Sequence, residues 1–188
     1  MLYRSGQNQA LAGNSNFSAE GGTLGTLNNQ APLFYVTNTQ AQVTLKDVKT
    51  EIASGTFLSA AGNQEWGQAG SNGGVVSLTL VNTAVKGSII ADQLSLVSLN
   101  LSSGSTLTGA INQPRTARFI SLTMDASSSW TMTGNSYVNR LIGITTSGNT
   151  VQGIFGNGFT LYYDPIQSPS LGGNTYSLSG GGSLTPAN

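Results

Sequence analysis

Short runs in which apolar and polar residues alternate recur along the chain. Val75-Val76-Ser77-Leu78-Thr79-Leu80, Leu94-Ser95-Leu96-Val97-Ser98-Leu99-Asn100-Leu101 and Phe119-Ile120-Ser121-Leu122-Thr123-Met124 are the longest. A period of two belongs to a β-strand with one buried and one solvated face. Leu99, Leu101 and Leu107 are expected to point inward, and Ser98, Asn100, Thr106 and Thr108 outward. No stretch of helical length carries the 3.6-residue period. Even the charged segment Asp47-Val48-Lys49-Thr50-Glu51-Ile52 alternates through Val48, Thr50 and Ile52 and fits a strand better.

The runs repeat as units. Ser102-Ser103-Gly104-Ser105-Thr106-Leu107-Thr108-Gly109 is echoed by Ser127-Ser128-Ser129-Trp130-Thr131-Met132-Thr133-Gly134. The spacing of about 25 residues is that of a solenoid repeat. Each cycle holds about three short strands separated by Gly, Ser or Asn turns. The pattern predicts an all-β fold, a right-handed single-stranded parallel β-helix of about six coils. They begin near Met1, Pro32, Gly55, Gly87, Gly109 and Ser136. The coils are expected over 1–164, with an insertion loop over 60–74, and a C-terminal cap over 165–188 with one more strand at Tyr176 to Leu178. A solenoid end exposes apolar core and unpaired backbone, so a cover is needed. A β-sandwich ranks second, because hairpins favour tight Asn-Gly or Asp-Gly turns and only Asn72-Gly73 and Asn157-Gly158 supply one.

Composition narrows the partners. Only 7% of residues are charged, the net charge is zero, and 38% are hydrophobic. Ser, Thr, Asn, Gln and Gly replace the missing charge, which suits a solenoid with a polar uncharged coat. Seven basic residues scattered from Arg4 to Arg140 make no phosphate-neutralising stripe, so nucleic acid is excluded as a partner. No segment approaches the ~18 consecutive apolar residues of a membrane span, so no membrane insertion is expected. There is no Cys and no His. Disulfides, thiolate metal sites, cysteine nucleophiles and the Ser-His-Asp triad are therefore excluded, and no cofactor or metal is expected. Met1-Leu2-Tyr3 runs straight into strand-like sequence without a signal peptide, which is read as a start inside a longer parent chain.

Several stretches carry a family resemblance. They are Ala31-Pro32-Leu33-Phe34-Tyr35-Val36-Thr37-Asn38-Thr39, Ala60-Ala61-Gly62 with Trp66-Gly67 and Gly70 to Gly74, and Trp130 to Val138. Gly156-Asn157-Gly158-Phe159-Thr160-Leu161-Tyr162-Tyr163-Asp164 and the ending Leu171-Gly172-Gly173 to Pro186 complete the set. In these the chain resembles the C-terminal part of large, secreted, uncharacterised microbial β-helix proteins of adhesin-like character. The resemblance implies a β-helix fold and an extracellular or cell-surface setting. It transfers no functional residue.

Candidate chemistry is sparse. The carboxylates are Glu20, Asp47, Glu51, Glu65, Asp92, Asp125 and Asp164. Asp92 and Asp125 sit near strand ends of successive coils and are the pair to weigh as a glycosidase-like dyad; otherwise they are turn residues capping strand ends. Lys46, Asp47, Lys49 and Glu51 form the one charge cluster, in which opposite charges on the outward face are expected to pair. Trp66, beside Gln64 and Glu65 in the insertion loop, is the candidate ligand contact, since an exposed Trp stacks on a sugar ring; otherwise it folds back on the helix wall. Trp130 points either way. Tyr162-Tyr163 is read as end-packing. Asn14-Ser15-Asn16-Phe17-Ser18 and Asn100-Leu101-Ser102 hold glycosylation sequons for a eukaryotic secretory host only.

The expectation is a structural or adhesive extracellular module without catalysis. It would bind surface glycans, matrix or other copies of itself end to end over a broad polar face. The alternatives are a polysaccharide-active β-helix enzyme, a lyase or hydrolase, and an ice-binding solenoid built on ranks of Thr106/Thr108 and Thr131/Thr133.

Overall fold

A computed structural model describes residues 13–187. The chain winds as a parallel β-helix of about seven turns with three faces. Face A stacks β1 (Asn14–Glu20), β4 (Thr39–Lys46), β7 (Gly74–Val81), β10 (Leu96–Ser102), β12 (Phe119–Met124) and β15 (Arg140–Ile142). Face B stacks β2 (Thr23–Thr26), β5 (Lys49–Ile52), β8 (Ala84–Lys86), β11 (Thr106–Thr108), β13 (Ser129–Thr131), β17 (Thr150–Phe155) and β19 (Tyr176–Ser179). Face C begins with β3 (Phe34–Val36), β6 (Thr56–Ala60) and β9 (Ser88–Ala91). It continues through the single bridge Ile89–Ile111 and then β14 (Ser136–Val138), β18 (Thr160–Tyr163) and β20 (Ser183–Pro186).

The coil starts read from the sequence at Pro32, Gly55, Gly87, Gly109 and Ser136 all fall where face C begins, and the start near Met1 lies outside the described residues. The turn beyond the six comes from the tail. There β19 and β20 stack parallel on β17 and β18, and also pair antiparallel with each other through the Gly180 to Gly182 turn. A second small hairpin joins β16 (Thr146–Ser147) to β17. Asn157-Gly158, a dipeptide with a hairpin signature, instead turns a coil corner from face B to face C, with both residues at positive φ.

Alternation does the folding. On face A the inward ranks are Ala41-Val76-Val97-Ile120, Val43-Leu78-Leu99-Leu122-Leu141 and Leu45-Leu80-Leu101-Met124, all buried. Each Val, Leu, Ile or Met among them contributes about 1.5–3 kcal/mol relative to exposure. Face B adds Val85-Leu107-Trp130-Ile154. The early coils add Phe34 between Phe17 and Phe57, with edge-to-face centroid distances of 5.4 and 5.5 Å. Corners turn on buried hydroxyls that satisfy backbone N–H groups. The Val48 N–H donates to Thr83 Oγ1, the Thr83 N–H to Ser105 Oγ, the Gly74 N–H to Ser95 Oγ and the Leu141 N–H to Ser168 Oγ. This is how a solenoid rich in Ser and Thr keeps its corner backbone paired.

The repeat Ser-x-Thr-x-Thr-Gly stacks two residues out of the register suggested by its spelling. Leu107 lies beside Trp130, not Met132, and Thr106 beside Ser129. Trp130 and Met132 both point inward and are fully buried.

Candidate functional site

The insertion loop lies between β6 and β7 and is knit to the wall by two asparagines. Asn63 Oδ1 accepts the N–H groups of Glu65 and Trp66 at 2.9 and 2.8 Å. Asn72, itself buried, donates its side-chain amide to the carbonyls of Asn63 and Trp66. Gln64 and Glu65 are exposed, while Trp66 is half-buried.

Asp92 and Asp125 do not form a dyad. Asp92 precedes β10, at the corner where face C passes into face A, and Asp125 follows β12, at the corner where face A passes into face B. The length of a face A strand separates them, roughly 20 Å for six residues, beyond the reach of a glycosidase pair. Both are turn caps. Asp92 accepts from the N–H groups of Gly62 and Leu94 and from Ser95 Oγ at 2.6 Å. Asp125 accepts from the N–H groups of Ser103, Ser127 and Ser128 and from Ser127 Oγ. Donors from Ser128, Ser103 and Ser127 hold its carboxyl at about 2.

The expected pairing of Asp47, Lys49 and Glu51 with one another does not form, and the one ion pair among the described residues runs between coils. Lys46 Nζ meets Glu20 Oε1 at 2.6 Å, because the two share a rung of face A. That contact raises the Lys46 pKa. Asp47 accepts the side-chain amide of Asn82, one coil on. Among the described residues no group of three His, Cys, Asp or Glu is placed to hold a metal ion.

The threonine ranks are short. Thr108 stacks on Thr131, but Lys86 and Phe155 continue that rank on either side, and Thr106 sits between Ala84 and Ser129. An even ladder of threonines does not form there.

The broadest organised surface is the outside of face A. Down its middle run Asn16, Gln42, Ser77, Ser98, Ser121 and Arg140, in register. Ser121 Oγ donates to Ser98 Oγ at 3.2 Å. Along one side runs the rank Val75-Leu96-Phe119, and along the other Thr44-Thr79-Asn100-Thr123. Small serines between two ranks of larger side chains make a trough along the helix axis. It has one apolar wall and one polar wall. Its upper end, floored by Ser77 and Ser98 and bounded by Asn16, Gln42 and Val75, opens into a hollow of about 180 Å³. The charges of this face lie at its margins, in the Glu20–Lys46 pair and Arg140.

A second concave surface, about 430 Å³, lies at the other end of the solenoid where face C turns into face A. Tyr137, Tyr162, Arg115 and Asp164 line it. Tyr162 and Tyr163, adjacent in sequence, divide between surface and core. Tyr163 is buried, its hydroxyl donates to the Asn174 carbonyl at 2.8 Å, and burial pushes its phenol pKa up. Tyr162 faces out and stacks on Tyr137. End-packing thus describes Tyr163 but not Tyr162. The signal that finds the pair is the alignment of Ser136-Tyr137-Val138 with Leu161-Tyr162-Tyr163, one coil apart.

Compared with protein-family profiles, curated proteins and solved structures, the chain matches none. No helix among the described residues is long and apolar enough to cross a membrane.

Proposed function

We propose that this chain is an extracellular, non-catalytic adhesive module that holds an extended neutral glycan of a cell surface or matrix along the trough of face A. The observation that carries this reading is the serine floor Ser77-Ser98-Ser121 between the apolar rank Val75-Leu96-Phe119 and the polar rank Thr79-Asn100-Thr123. A sugar chain has apolar C–H faces and polar hydroxyl edges, and this trough offers a matching side to each. Its rungs repeat at about 4.8 Å, close to the rise of one pyranose unit in an extended chain. Spread along the three stacked strands β7, β10 and β12, such contacts are individually weak and add through multiplicity. The charge-poor polar coat and the resemblance to adhesin-like secreted β-helix proteins support the extracellular setting. Asp92 and Asp125, engaged as turn caps at opposite corners, support a binding role over a hydrolytic one.

The test is binding to immobilised neutral polysaccharides (cellulose, xylan, dextran, chitin) and anionic ones (pectate, alginate), at low and high salt. The expected result is retention on at least one neutral polymer, little changed by salt, and lost in Ser98→Trp, which fills the trough. Retention only on the polyanions with loss in salt, or cleavage of any polymer, overturns the reading.

A further inference from the structure

Three successive coils build the concave surface around Tyr137. The loop after Ile111 comes first. Asn112 and Arg115 both have positive φ, 51° and 56°. Non-glycine residues hold that conformation only where their surroundings impose it. Here Asn112 does so. Its Oδ1 accepts the N–H groups of Thr116 and Ala117 at 3.0 and 3.1 Å, and its carbonyl accepts the Arg115 N–H at 2.9 Å. Thr116 Oγ1 ties the loop to the preceding coil through the Ala91 carbonyl, 2.7 Å away. The loop is therefore set before any ligand arrives.

Its product is the position of Arg115. The guanidinium carbon lies 5.2 Å from the centre of the Tyr137 ring. Tyr137 in turn stacks on Tyr162, with centroids 4.7 Å apart and planes within 8°. The spacing is that of the rungs, and the two residues are register partners. The column Arg115–Tyr137–Tyr162 thus runs along the solenoid axis. Tyr137 has both ring faces engaged, by Arg115 and Tyr162, and Thr185 is the register partner of Tyr162 on the next rung. A flat sugar-stacking platform is not what this column offers. It turns ring edges and phenol hydroxyls outward.

Asp164 closes the far side. Its Oδ1 caps the following turn by accepting the Ile166 and Gln167 N–H groups, which leaves Oδ2 without a protein donor among the described residues. Ile166, 84% exposed, adds an apolar edge. The volume of about 430 Å³ lies within the range of small-molecule sites. The groove therefore combines a cation, a carboxylate, two phenol hydroxyls and an apolar lip.

We infer that this groove is a second binding site, distinct from the trough, for a short neutral saccharide of one or two units. One hydroxyl of a vicinal diol donates to Asp164 Oδ2 and the other to a phenol oxygen. The C–H face of the ring rests on Ile166. A saccharide is favoured because it brings hydroxyl donors for the open Asp164 Oδ2 and the phenol oxygens together with an apolar ring face. This site stands whether or not the trough binds a polymer.

The experiment is amide NMR titration of the full chain with methyl glucoside, methyl galactoside, methyl mannoside, cellobiose and lactose at millimolar concentration, with free alanine as a zwitterion. The expected result is saturable shifts at Tyr137, Asn139, Tyr162 and Ile166 with at least one saccharide. Asp164→Asn, which keeps the Oδ1 acceptor and so the turn, should weaken that affinity about tenfold, or 1.4 kcal/mol. Tyr162→Phe, which keeps the stack and removes the hydroxyl, should weaken it severalfold. Both variants should keep the wild-type thermal midpoint and the wild-type spectrum elsewhere. Saturable shifts confined to Ser77, Ser98 and Ser121, equal response to alanine, no response in the groove, or Asp164→Asn binding as the wild type does would each overturn the proposal. The trough reading fails separately, through polymer retention and Ser98→Trp.

Discussion

The indole N–H of Trp130 donates to the carbonyl oxygen of Gly109, one coil back, at 2.9 Å. The indole is fully buried within the rank Val85-Leu107-Trp130-Ile154. It joins two coils by packing and by a hydrogen bond that closes a corner. Trp130→Ala should cost about 3–5 kcal/mol. Trp130→Phe keeps most of the volume and leaves the Gly109 carbonyl without this donor, so about 1–3 kcal/mol is expected. Denaturant midpoints of the three proteins check the order.

Gly109 is constrained by space. A Cβ there would collide with the carbonyl oxygen of Gly87 in the preceding coil, which is backbone and cannot step aside. Gly109→Ala should therefore push two coils apart and lower the thermal midpoint. Gly104→Ala is the useful contrast, because nothing lies near its Cβ and its positive φ alone is strained. Gly109→Ala should be the more damaging by circular dichroism melting.

Asp125 gives the fold an acid dependence with a definite sign. Its folded pKa is lowered from the ordinary 3.8 to about 2. A carboxyl depressed on folding adds stability that is complete above the unfolded value and is lost as pH falls through the folded one. Wild-type stability should thus decline between about pH 4 and about pH 2. Asp125→Asn should be less stable at neutral pH, since its amide faces the Ser103 N–H donor, and should show a shallower decline. Thermal midpoints across that window measure both.

The inward packing of face A should be far more sensitive than its outer surface. Leu99→Ala removes a buried side chain from the centre of its rank and should cost about 2–5 kcal/mol. Ser98→Trp, one residue away, points out and should leave the unfolding free energy from urea titration within about 0.5 kcal/mol of wild type. A large loss from the second would mean that the trough is part of the fold's support and not a free surface.

The fold was legible because strands declare themselves by a period of two. Val75 to Leu80, Leu96 to Leu101 and Phe119 to Met124 share one spelling, and the structure stacks them residue on residue. The serine floor of the trough could be read from the same alignment. The register of the Ser-x-Thr-x-Thr-Gly repeat could not. A slip of two residues keeps every side chain on its own face, so alternation cannot separate Leu107 beside Trp130 from Leu107 beside Met132. Only the fit of the indole against Gly109 decides. The last turn was legible in part. The strand expected at Tyr176 to Leu178 is there as Tyr176–Ser179, but Ser183–Pro186, which follows Gly180 to Gly182 and ends on a proline, carries turn signals more strongly than strand signals.

The two concave surfaces differ in the same way. Trp66, Glu65 and Gln64 are neighbours in sequence, and the structure places them on a loop pinned to the wall where Asn63 donates to Thr37 Oγ1 and the Asn72 carbonyl accepts the Asn38 N–H. Arg115, Tyr137 and Asp164 are far apart in the chain, and only the stacking of coils brings them to one groove. Asp92 and Asp125 show the converse. Their coils are adjacent, yet they stand at opposite corners because a full strand lies between the two turns.

The central claim, a neutral glycan along face A, is tested most directly by amide NMR mapping of an isotopically labelled chain with a soluble oligosaccharide of the retained polymer. The account predicts saturable shifts running down Gln42, Ser77, Ser98 and Ser121 and their flanking ranks, with Thr106, Thr108 and Thr131 on face B unmoved. Shifts on face B with face A silent would contradict it.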